Sequence, residues 1–499
     1  MEDTSRNVFI TGRAGTGKST LLSYFRLITE KKVAVLAPTG VAAINVRGQT
    51  IHSFFKFRPN VTLRQIRRLR PASEGETIYQ KLETIVIDEI SMVRADLLDC
   101  VDRFLRLNGP AADRPFGGLQ MIFIGDLYQL PPVVTGAERA GLQLLYETPY
   151  FYSAQVFNQL DMELIELEKI YRQHDPAFIN LLNSIRNRSI DESGLELLKQ
   201  RYQPEFEPQA GEFFIYLTTT NDMAAIVNNR QLQKLKGRTQ TFRGSREGEF
   251  GDEYLPTAME LQLKVGAQIM LLNNDADGRW VNGTIGEITG FGRGTAGFPI
   301  IRAVLAEGEE VEIGPYIWEI YRYKIEDGAL ESEVAGTFTQ YPVMLAWAIT
   351  IHKSQGKTFA KVIIDIGRGT FAHGQMYVAL SRCTTFEGII LKRPILKQHI
   401  RTDFKVVDFL TQYQYRRSDG KLAIADKMDI IRRAIEKQKR LKIVYLKPSD
   451  EKSRRTIVPL AVGEMEFQGK TYTGLRAFCL TRNAERTFRV DRILEIEEA

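Results

Sequence analysis

Residues 8–20, VFITGRAGTGKST, decide how the rest of the chain is interpreted. An apolar run typical of a buried strand stops at a glycine-rich loop, and apolar residues then return at helical spacing. Glycines in the loop permit backbone turns that a side chain would block, so successive N–H groups can converge on the α- and β-phosphates of a nucleotide. The spacing of Gly12, Gly17, Lys18 and Ser19 therefore predicts a phosphate-binding loop between a strand and a helix.

The side chains of this loop indicate how a nucleoside triphosphate and its cation would be held. Lys18 supplies a positive charge for the β- and γ-phosphate oxygens, and the Ser19 hydroxyl can ligate Mg²⁺ at a helix N-terminus, where the helix dipole favours anions. The predicted nucleotide contacts are Gly12, Gly15, Thr16, Gly17, Lys18, Ser19 and Thr20. The alternative, a glycine-rich surface turn with a chance lysine, fits the strand–loop–helix context less well.

Two later strands end in polar residues that can complete such a site. Residues 84–88, TIVID, lead into Glu89; we expect Asp88 to hold Mg²⁺ and Glu89 to polarise the attacking water as a general base. Residues 120–125, QMIFIG, lead into Gln129, which can sense the γ-phosphate and orient water. Adjacent carboxylates often mark only a helix start, but the phosphate loop upstream favours the catalytic interpretation.

Other polar residues at strand ends are candidates for contact with a polyanion. Thr39 follows the second apolar strand, and His52 lies in a stretch that also contains Phe54 and Phe55. We expect Thr39 and His52 to contact phosphate, and the two phenylalanines to be core residues rather than platforms for stacked bases. Residues 57–81 break the pattern and resemble an insertion, either a solvated basic face or a strand-splitting element, with Arg64, Arg67, Arg68 and Arg70.

Several stretches together resemble the Pif family of superfamily 1B DNA helicases. In the first half they are GRAGTGKST, APTGVAA, VIDEISM, FGGLQ and GDLYQLPPV. In the second half they are EKIYRQ (168–173), TTTN (218–221), LAWAITIHKSQGKT (345–358) and MYVALSR (376–382). The resemblance covers nearly all of residues 6–400.

The resemblance implies an α/β fold with two RecA-like P-loop domains, residues 1–160 and 161–415. Arg172 and Arg382 would be arginine fingers that reach from the second domain to the γ-phosphate of ATP, and Gly356 would face the nucleotide. Single-stranded DNA would be contacted by Thr39, His52, Thr219, Asn221, Thr350, His352 and Ser354. The resemblance also implies Mg²⁺-dependent ATP hydrolysis, 5′-to-3′ travel, duplex unwinding and action as a monomer. It leaves open whether forks, G-quadruplexes or RNA–DNA hybrids are preferred. It also leaves open a role in replication, repair or telomere-type maintenance.

A change in the sequence pattern marks an insertion in the second domain. Residues 266–338 contain short, glycine-punctuated β-rich runs, which predict a small barrel like the Src-homology-3-like insertion of this family. Its aromatic residues Trp280, Trp318 and Tyr321 are expected in the barrel core rather than at bases.

The C-terminal residues predict a separate basic module. Residues 426–440 have helical periodicity and are followed by alternating strands, an arrangement that resembles the WYL domain, although GLRAFC (474–479) replaces the naming tripeptide. Residues 421–499 hold 18 Lys and Arg against 12 Asp and Glu, whereas the first 420 residues are balanced. The resemblance implies a small barrel that binds nucleic acid through Arg476, Arg486, Arg489 and Arg492; an inert barrel is the alternative.

Composition limits the class of protein. A chain of 499 residues predicts about three domains, and no apolar run approaches the roughly 20 residues needed to cross a bilayer. We therefore expect no membrane partner and a cytoplasmic location. Cys100, Cys383 and Cys479 lie far apart and are expected to be packed or incidental.

Two other functions remain open at this point. The same loop could serve a P-loop phosphotransferase or switch protein without a nucleic-acid track, or a transcription-linked regulator whose sensor is the C-terminal module. In addition, few residues precede the first strand, where helicases of this family contact adenine, so selectivity among nucleotide bases is in doubt.

Overall fold

The computed structural model describes residues 1–2, 4–69, 77–209, 211–294, 297–326, 329–367, 369–370, 372–448, 450–467 and 469–499. Arg70, predicted as part of the basic insertion, lies outside the described residues. The chain forms two compact units. One comprises Met1–Leu182 and Glu192–Arg401, and the other Asn183–Asp191 and Thr402–Ala499.

The first unit begins with an α/β domain around a six-stranded parallel sheet. Its strands are β1 (Asn7–Gly12), β2 (Val33–Ala37), β3 (Gln49–Thr50), β4 (Thr84–Ile87), β5 (Gln120–Ile124) and β6 (Met162–Leu167), in the order β3-β2-β4-β5-β1-β6. Its helices are α1 (Lys18–Ile28), α2 (Gly40–Asn45), α3 (Ile51–Phe55), α4 (Ile78–Lys81), α5 (Ala95–Asn108) and α6 (Gly136–Leu145). The central strands are buried along their whole length, which explains their continuous apolar sequence.

Strand β6 moves the predicted domain boundary. It pairs in parallel with β1 from Met162 to Leu167, so the first domain extends beyond the predicted end at residue 160. The MELIEL pattern alternates because β6 is an edge strand, and alternation alone does not identify the sheet to which a strand belongs.

The rest of the first unit contains a second parallel sheet and an inserted β-rich region. The strands are β7 (Ile215–Thr218), β8 (Gln240–Arg243), β9 (Ser245–Gly248), β10 (Glu260–Leu263), β11 (Gln268–Leu271), β12 (Ile285–Arg293), β13 (Pro299–Leu305), β14 (Glu310–Ile313), β15 (Tyr316–Glu326), β16 (Ala329–Gln340), β17 (Val343–Leu345), β18 (Ala348–Thr350), β19 (Val362–Asp365) and β20 (Ile389–Leu391). The helices are α7 (Pro176–Arg186), α8 (Glu192–Lys199), α9 (Asn221–Lys234) and α10 (Gln375–Leu380). The last residues of α7, from Asn183 onwards, are assigned to the second unit. The second parallel sheet has the order β18-β7-β19-β20.

The inserted region differs from the single barrel predicted over residues 266–338. Its described strands form three sheets with the orders β10-β8, β14-β13-β12-β11-β17 and β15-β16-β9, so the region begins with β8, before residue 266. Trp280 and Trp318 are buried as predicted, but Tyr321 is half-buried, and Tyr323 is the residue of that strand that turns inward. Alternation along a strand decides which of two neighbouring aromatics is buried, and this depends on register.

The hairpin of β15 and β16 packs against the first domain. The Tyr323 hydroxyl accepts a hydrogen bond from the backbone N–H of Val35 at 2.9 Å, and the Gln49 side chain donates to the Tyr321 carbonyl. The hydroxyls of Thr50 and Tyr254 lie 3.0 Å apart. The Phe54 ring meets that of Tyr323 edge to face, and Phe54 and Phe55 are both buried, so their predicted place in the core is confirmed.

The second unit contains an antiparallel sheet covered on one face by a helix. Its elements are α11 (Phe404–Lys421), α12 (Ile424–Glu436), β21 (Leu441–Leu446), β22 (Lys452–Phe467), β23 (Lys470–Cys479), β24 (Ala484–Arg489) and β25 (Ile493–Glu498). Ile431 and Ala434 of α12 share a buried cluster with Leu441 and Leu475 of the sheet.

The structure corrects two expectations for this unit. The order β24-β23-β22-β21-β25 leaves two edge strands, so the sheet is open, not the closed barrel that was predicted. The predicted boundary between residues 415 and 421 is also displaced, because α11 packs on β25 and the unit begins at Thr402. A run of alternating strands does not distinguish a closed from an open sheet, since closure depends on the pairing of the two end strands.

The helices and the cysteines can be compared with the composition of the chain. In the part of the chain that the structure describes, no helix is both long and apolar enough to cross a membrane. Cys100, Cys383 and Cys479 are buried free thiols, as expected for packed residues.

Candidate functional site

A cavity of about 880 Å³ lies between the two parallel-sheet domains of the first unit. It is lined by residues predicted for nucleotide binding and hydrolysis: Gly15, Thr16, Gly17, Lys18, Ser19, Thr20, Glu89, Gln129, Arg172, Gly356 and Arg382. Residues from both ends of the first unit's sequence therefore meet at one site, at the carboxyl ends of the strands, where open α/β sheets bind their ligands.

The loop between β1 and α1 has the shape expected for holding phosphates. Gly15 and Gly17 have φ angles of +80° and +83°, and a Cβ at Gly15 would lie 2.5 Å from the Cβ of Arg172. A Cβ at Gly12 would lie 2.7 Å from the Thr16 hydroxyl oxygen. The Lys18 Nζ donates to the carbonyls of Gly12 and Arg13 at 2.7 and 3.0 Å, which places the ammonium inside the loop. The loop amides, the start of α1 and this charge thus converge on one volume.

Asp88 and Glu89 form a buried acidic edge directly after β4. Burial raises the pKa of Asp88, and burial together with neighbouring Asp88 raises the pKa of Glu89 to about 7. Glu89 has a φ of +49°, a left-handed conformation that turns its side chain away from the strand direction. A pKa close to neutral suits a group that must accept a proton from water.

The residues at this edge fit the predicted Mg²⁺ site. The Ser19 hydroxyl and the Asp88 carboxylate are both oxygen ligands, which this hard cation prefers. Two adjacent buried carboxylates also need a compensating positive charge. Within the described ranges, no cluster of three or more His, Cys, Asp or Glu can hold a metal by itself.

Gln129 is joined to the acidic edge by Gln355, which precedes Gly356 in the loop that was predicted to face the nucleotide. The Gln129 side chain is buried and donates to the Asp126 carboxylate at 3.2 Å. The Gln355 Nε2 lies 3.1 Å from Glu89 Oε2 and 3.3 Å from Gln129 Oε1. These two partners of Gln355 were not predicted, since an isolated glutamine carries no pattern that identifies them.

Arg172 lines the cavity, but it does not reach it from the second domain as predicted. It follows β6 of the first sheet, and the preceding residue, Tyr171, donates its backbone N–H to the Gly15 carbonyl at 2.8 Å. The Arg172 Nη1 then donates to the Ser381 carbonyl of the second domain at 3.2 Å. The misplacement follows from β6, whose sheet could not be read from its sequence.

Arg382 reaches the cavity from the second domain, as predicted. Its guanidinium is buried and donates to the carbonyls of Val378, Ser354 and Lys357 at 2.9, 3.4 and 3.2 Å. Burial, followed by the charge of Arg172, lowers the pKa of Arg382 to about 9. Two cations held at the same cavity wall favour an anionic ligand between them.

A second contact between the domains passes through Tyr377 of α10. Its hydroxyl accepts a hydrogen bond from the backbone N–H of Ala14, in the phosphate-binding loop, at 2.9 Å. The sequence does not indicate this contact of Tyr377, because a tyrosine within an apolar helical stretch is indistinguishable from an ordinary core tyrosine. The second domain therefore touches both the loop and the acidic edge.

Some predicted DNA contacts lie at strand ends with accessible side chains. Thr39 is exposed and caps α2 by accepting the Ala42 N–H at 3.3 Å, and Asn221 is exposed at the start of α9. His52 and His352 are half-buried, and burial lowers the pKa of both, so they are neutral at pH 7. These four residues remain candidates for contact with a polynucleotide.

Other predicted DNA contacts turn inward. The side chain of Ser354 is completely buried and its hydroxyl donates to the Ile351 carbonyl at 2.7 Å, so the predicted contact of this hydroxyl with a phosphate is wrong. Thr219 and Thr350 are also buried, and the Thr350 hydroxyl accepts the Lys353 N–H at 3.2 Å. Short polar side chains in a tight turn satisfy the turn's own backbone groups, which sequence alone does not distinguish from ligand contacts.

The four arginines predicted to form one groove in the second unit do not share a face of the sheet. Arg476 pairs with Thr487 and Arg489 with Gly474, on the face opposite the core, whereas Arg486 pairs with Ala477 on the core side. Arg489 forms a bidentate pair with Asp491 at 3.0 and 2.6 Å. The predicted groove is therefore incorrect, because alternation places neighbouring strand residues on opposite faces.

Comparisons with known proteins agree with this arrangement. Residues 1–194 match the PIF1-like helicase family, residues 254–291 the 2B domain of DNA helicase Pif1, and residues 426–498 the WYL domain. The human ATP-dependent DNA helicase PIF1 is 35% identical over 393 residues, a match that covers 77% of this chain and 58% of the human protein. This chain thus spans little more than half the length of that relative.

Solved structures of a Bacteroides relative extend the similarity to the fold. Its Pif1 in complex with ADP-AlF4 is 38% identical, with a TM-score of 0.74 and coverage of 82% of this chain and 93% of the relative. The same relative bound to single-stranded DNA has a TM-score of 0.59, with coverage of 83% and 94%. The chain therefore belongs to the Pif1 helicase family and carries a WYL domain at its C-terminal end.

Proposed function

We propose that this chain is an ATP-driven motor that moves along single-stranded DNA and unwinds duplexes. The observation that carries the proposal is the meeting of Lys18, Glu89 and Gln129 from the first domain with Arg382 from the second in one cavity. Relatives named ATP-dependent DNA helicase support it, as does the Bacteroides relative that binds ADP-AlF4 and single-stranded DNA.

The residues of the cavity have distinct roles in hydrolysis. Lys18 and the loop amides bind the β- and γ-phosphates, with Asp88 and Ser19 as ligands for Mg²⁺, which neutralises phosphate charge when bound. Glu89 takes a proton from the attacking water, and Gln129 orients that water. Arg172 and Arg382 stabilise the charge that develops on the transferred phosphate, a contribution of about 10³–10⁵ in rate for such arginines.

Hydrolysis is coupled to movement because the cavity is built from two domains. ATP attracts Arg382 and closes the domains, and loss of the γ-phosphate removes that attraction. DNA lies along the strand ends that present Thr39, His52, Asn221 and His352. We further propose 5′-to-3′ travel by a monomer and forked DNA as a substrate; G-quadruplexes and RNA–DNA hybrids are further candidates.

We also propose that binding of DNA changes the arrangement of the β-rich insertion relative to the first domain. The TM-score with the Bacteroides relative falls from 0.73 for its unliganded form to 0.59 for its form bound to single-stranded DNA, at the same 38% identity. On this proposal, the contact of the β15–β16 hairpin with the first domain belongs to the DNA-free arrangement.

ATP hydrolysis with and without oligothymidine tests the motor proposal. We expect a rise of more than about tenfold with DNA, because domain closure completes the site with Arg382. Duplexes with a 5′ or a 3′ single-stranded tail test polarity, and only the first should be unwound. Lys18→Ala should abolish hydrolysis and retain DNA binding. Hydrolysis without stimulation by DNA would instead indicate a switch protein or phosphotransferase.

For the WYL domain, we propose that the outer face of the sheet binds nucleic acid. Arg476 and Thr487 are exposed there, beside the half-buried ring of Phe478. A cation and an aromatic ring on one open sheet face suit a phosphate backbone and a stacked base.

Charge reversal on the two faces of this sheet tests the WYL proposal. Arg476→Glu in the full chain should weaken binding of oligothymidine and reduce the slope of log affinity against log salt by about 1–2. Arg486→Glu, an equal charge change on the opposite face of the adjacent strand, is the matched control. Equal effects of the two variants would favour a domain with no nucleic-acid surface.

A further inference from the structure

One side chain of the second domain contacts both polar groups that are expected to act on the attacking water. The Gln355 Nε2 lies 3.1 Å from Glu89 Oε2 and 3.3 Å from Gln129 Oε1. Both contacts cross from the second domain to the first. The two acceptors come from different loops, after β4 and β5, so Gln355 also holds these loops relative to each other.

Neighbouring groups determine the direction in which the amide of Gln355 points. The Asp126 carboxylate accepts from Gln129 Nε2 at 3.2 Å, which turns the Gln129 oxygen towards Gln355. Because Gln129 Oε1 and the Glu89 carboxylate are both acceptors, the NH₂ group of Gln355 must face them. These hydrogen bonds therefore fix the orientation of both amide groups, that of Gln129 and that of Gln355.

The turn that carries Gln355 is held by its own backbone hydrogen bonds and by Arg382. Within residues 350–357, Ser354 N–H donates to the Thr350 carbonyl at 3.0 Å, and Gln355 N–H donates to the His352 carbonyl at 3.1 Å. Arg382 holds the same turn through the carbonyls of Ser354 and Lys357. These hydrogen bonds fix the position of Gln355 within the second domain.

We propose that Gln355 is a positioning residue that holds Glu89 and Gln129 in place for hydrolysis. The proposal deepens, and rests on, the ATP hydrolysis proposed for this cavity. It assigns to one side chain of the second domain the alignment of two groups of the first.

The physical consequence of the Gln355 contacts is the alignment of Glu89 and Gln129. One amide group that contacts both side chains fixes them relative to each other. A leucine at position 355 should fill the same space and release both groups.

Single-turnover ATP hydrolysis at saturating Mg²⁺ and oligothymidine tests the proposal with Gln355→Leu, alone and combined with Glu89→Gln. The rate of Gln355→Leu should fall by about tenfold or more, because Glu89 and Gln129 lose their alignment. Binding of ATP should change far less than the rate. In the Glu89→Gln background the same substitution should cost much less, because less remains for Gln355 to align.

Gln233→Leu, the same substitution at an exposed glutamine of α9, is the matched control, and its rate should equal that of the wild type. A loss in Gln355→Leu that is equally large with and without Glu89 would mean that the residue only supports the fold, and would overturn the proposal. Wild-type protein without DNA-stimulated hydrolysis would instead reject the proposed function itself, so the two failures are distinguishable.

Discussion

At the scale of single residues, the site depends on charged groups removed from water. Glu89 and Asp88 are buried side by side, and the cations that face Glu89 are Lys18 and Arg382. Burial and the neighbouring carboxylate raise the pKa of Glu89 into the neutral range. Glu89, the proposed general base, thus changes charge near neutral pH, and hydrolysis should depend on pH.

ATP hydrolysis should decline as the pH falls through about 7, because Glu89 must be deprotonated to accept a proton from water. Single-turnover rates over a pH series measure this decline. Glu89→Gln should bind ATP, lose hydrolysis by a factor of about 10²–10⁴, and show no such limb in its residual rate. A wild-type profile that is flat between pH 6 and 8 would contradict the assignment of Glu89.

Lys427 in the second unit is a buried cation outside the active site. Its Nζ donates to the Ser418 hydroxyl at 2.8 Å, and burial lowers its pKa. The folded state therefore binds fewer protons than the unfolded chain just below the ordinary pKa of lysine, so the free energy of unfolding should rise with pH there.

Lys427→Met should remove that pH dependence and raise the stability of the second unit by about 1 kcal/mol near pH 7, because it replaces a buried charge with a side chain of similar volume. Urea unfolding at pH 7 and pH 9.5 provides the measurement. Lys421→Met, at the end of α11 where the side chain is exposed, is the control. A destabilised Lys427→Met would mean that the bond to Ser418 outweighs the burial of charge.

At the scale of elements, α10 and its flanking residues contact the first domain at three points. Gly374, which precedes the first residue of α10, packs against the loop of Gln129, and Tyr377 contacts the phosphate-binding loop. The Ser381 carbonyl, just after the C-terminal end of α10, accepts a hydrogen bond from Arg172. A Cβ at Gly374 would lie 2.3 Å from the carbonyl oxygens of Gln129 and Tyr128. The short helix α10 thus sets the distance between Arg382, which follows it, and the loop of Gln129.

Gly374→Ala should reduce ATP hydrolysis by about 10²-fold, because it pushes α10 away from Gln129. Gly278→Ala is a matched control, since Gly278 has a similar φ of +76°, against +70° at Gly374, with no atom within 4 Å of the added Cβ. Both variants should lose about 1–2 kcal/mol of stability from the left-handed backbone, but only the first should lose activity. Comparable activities in the two variants would show that this packing contact is dispensable.

At the scale of the first unit, the β15–β16 hairpin and the segment of Tyr254 attach the β-rich insertion to the ATP-binding domain. Tyr323 bonds to Val35 and Tyr254 to Thr50, both at buried positions. If DNA binding requires another arrangement, as proposed, these hydrogen bonds compete with DNA. The apparent affinity then scales with the fraction of molecules in which they are broken.

The double variant Tyr254→Phe, Tyr323→Phe should bind oligothymidine more tightly, by about fivefold for each kcal/mol by which the DNA-free arrangement is destabilised. Fluorescence anisotropy with a labelled oligonucleotide measures the change. Tyr316→Phe, at the partly exposed start of the same strand β15, should leave the affinity unchanged. Weaker binding by the double variant would instead mean that these hydroxyls stabilise the DNA-bound arrangement.

The local chemistry of the nucleotide site was readable from sequence. Gly15, Gly17, Lys18, Glu89 and Gln129 lie where their motifs predicted, because each depends on a short strand, loop and helix start whose conformation is set by adjacent residues. The buried strands around them were equally clear, since a strand covered on both faces is apolar throughout.

Only the tertiary structure decided which distant groups meet and which faces they occupy. It assigned β6, and with it Arg172, to the first domain, buried the Ser354 hydroxyl, separated Arg486 from Arg476, and brought Gln355 to Glu89. Pairing of strands, register and contacts between domains depend on residues far apart in the chain. The sequence by itself therefore determined the local motifs of the nucleotide site, whereas long-range packing determined which side chains of distant segments contact one another.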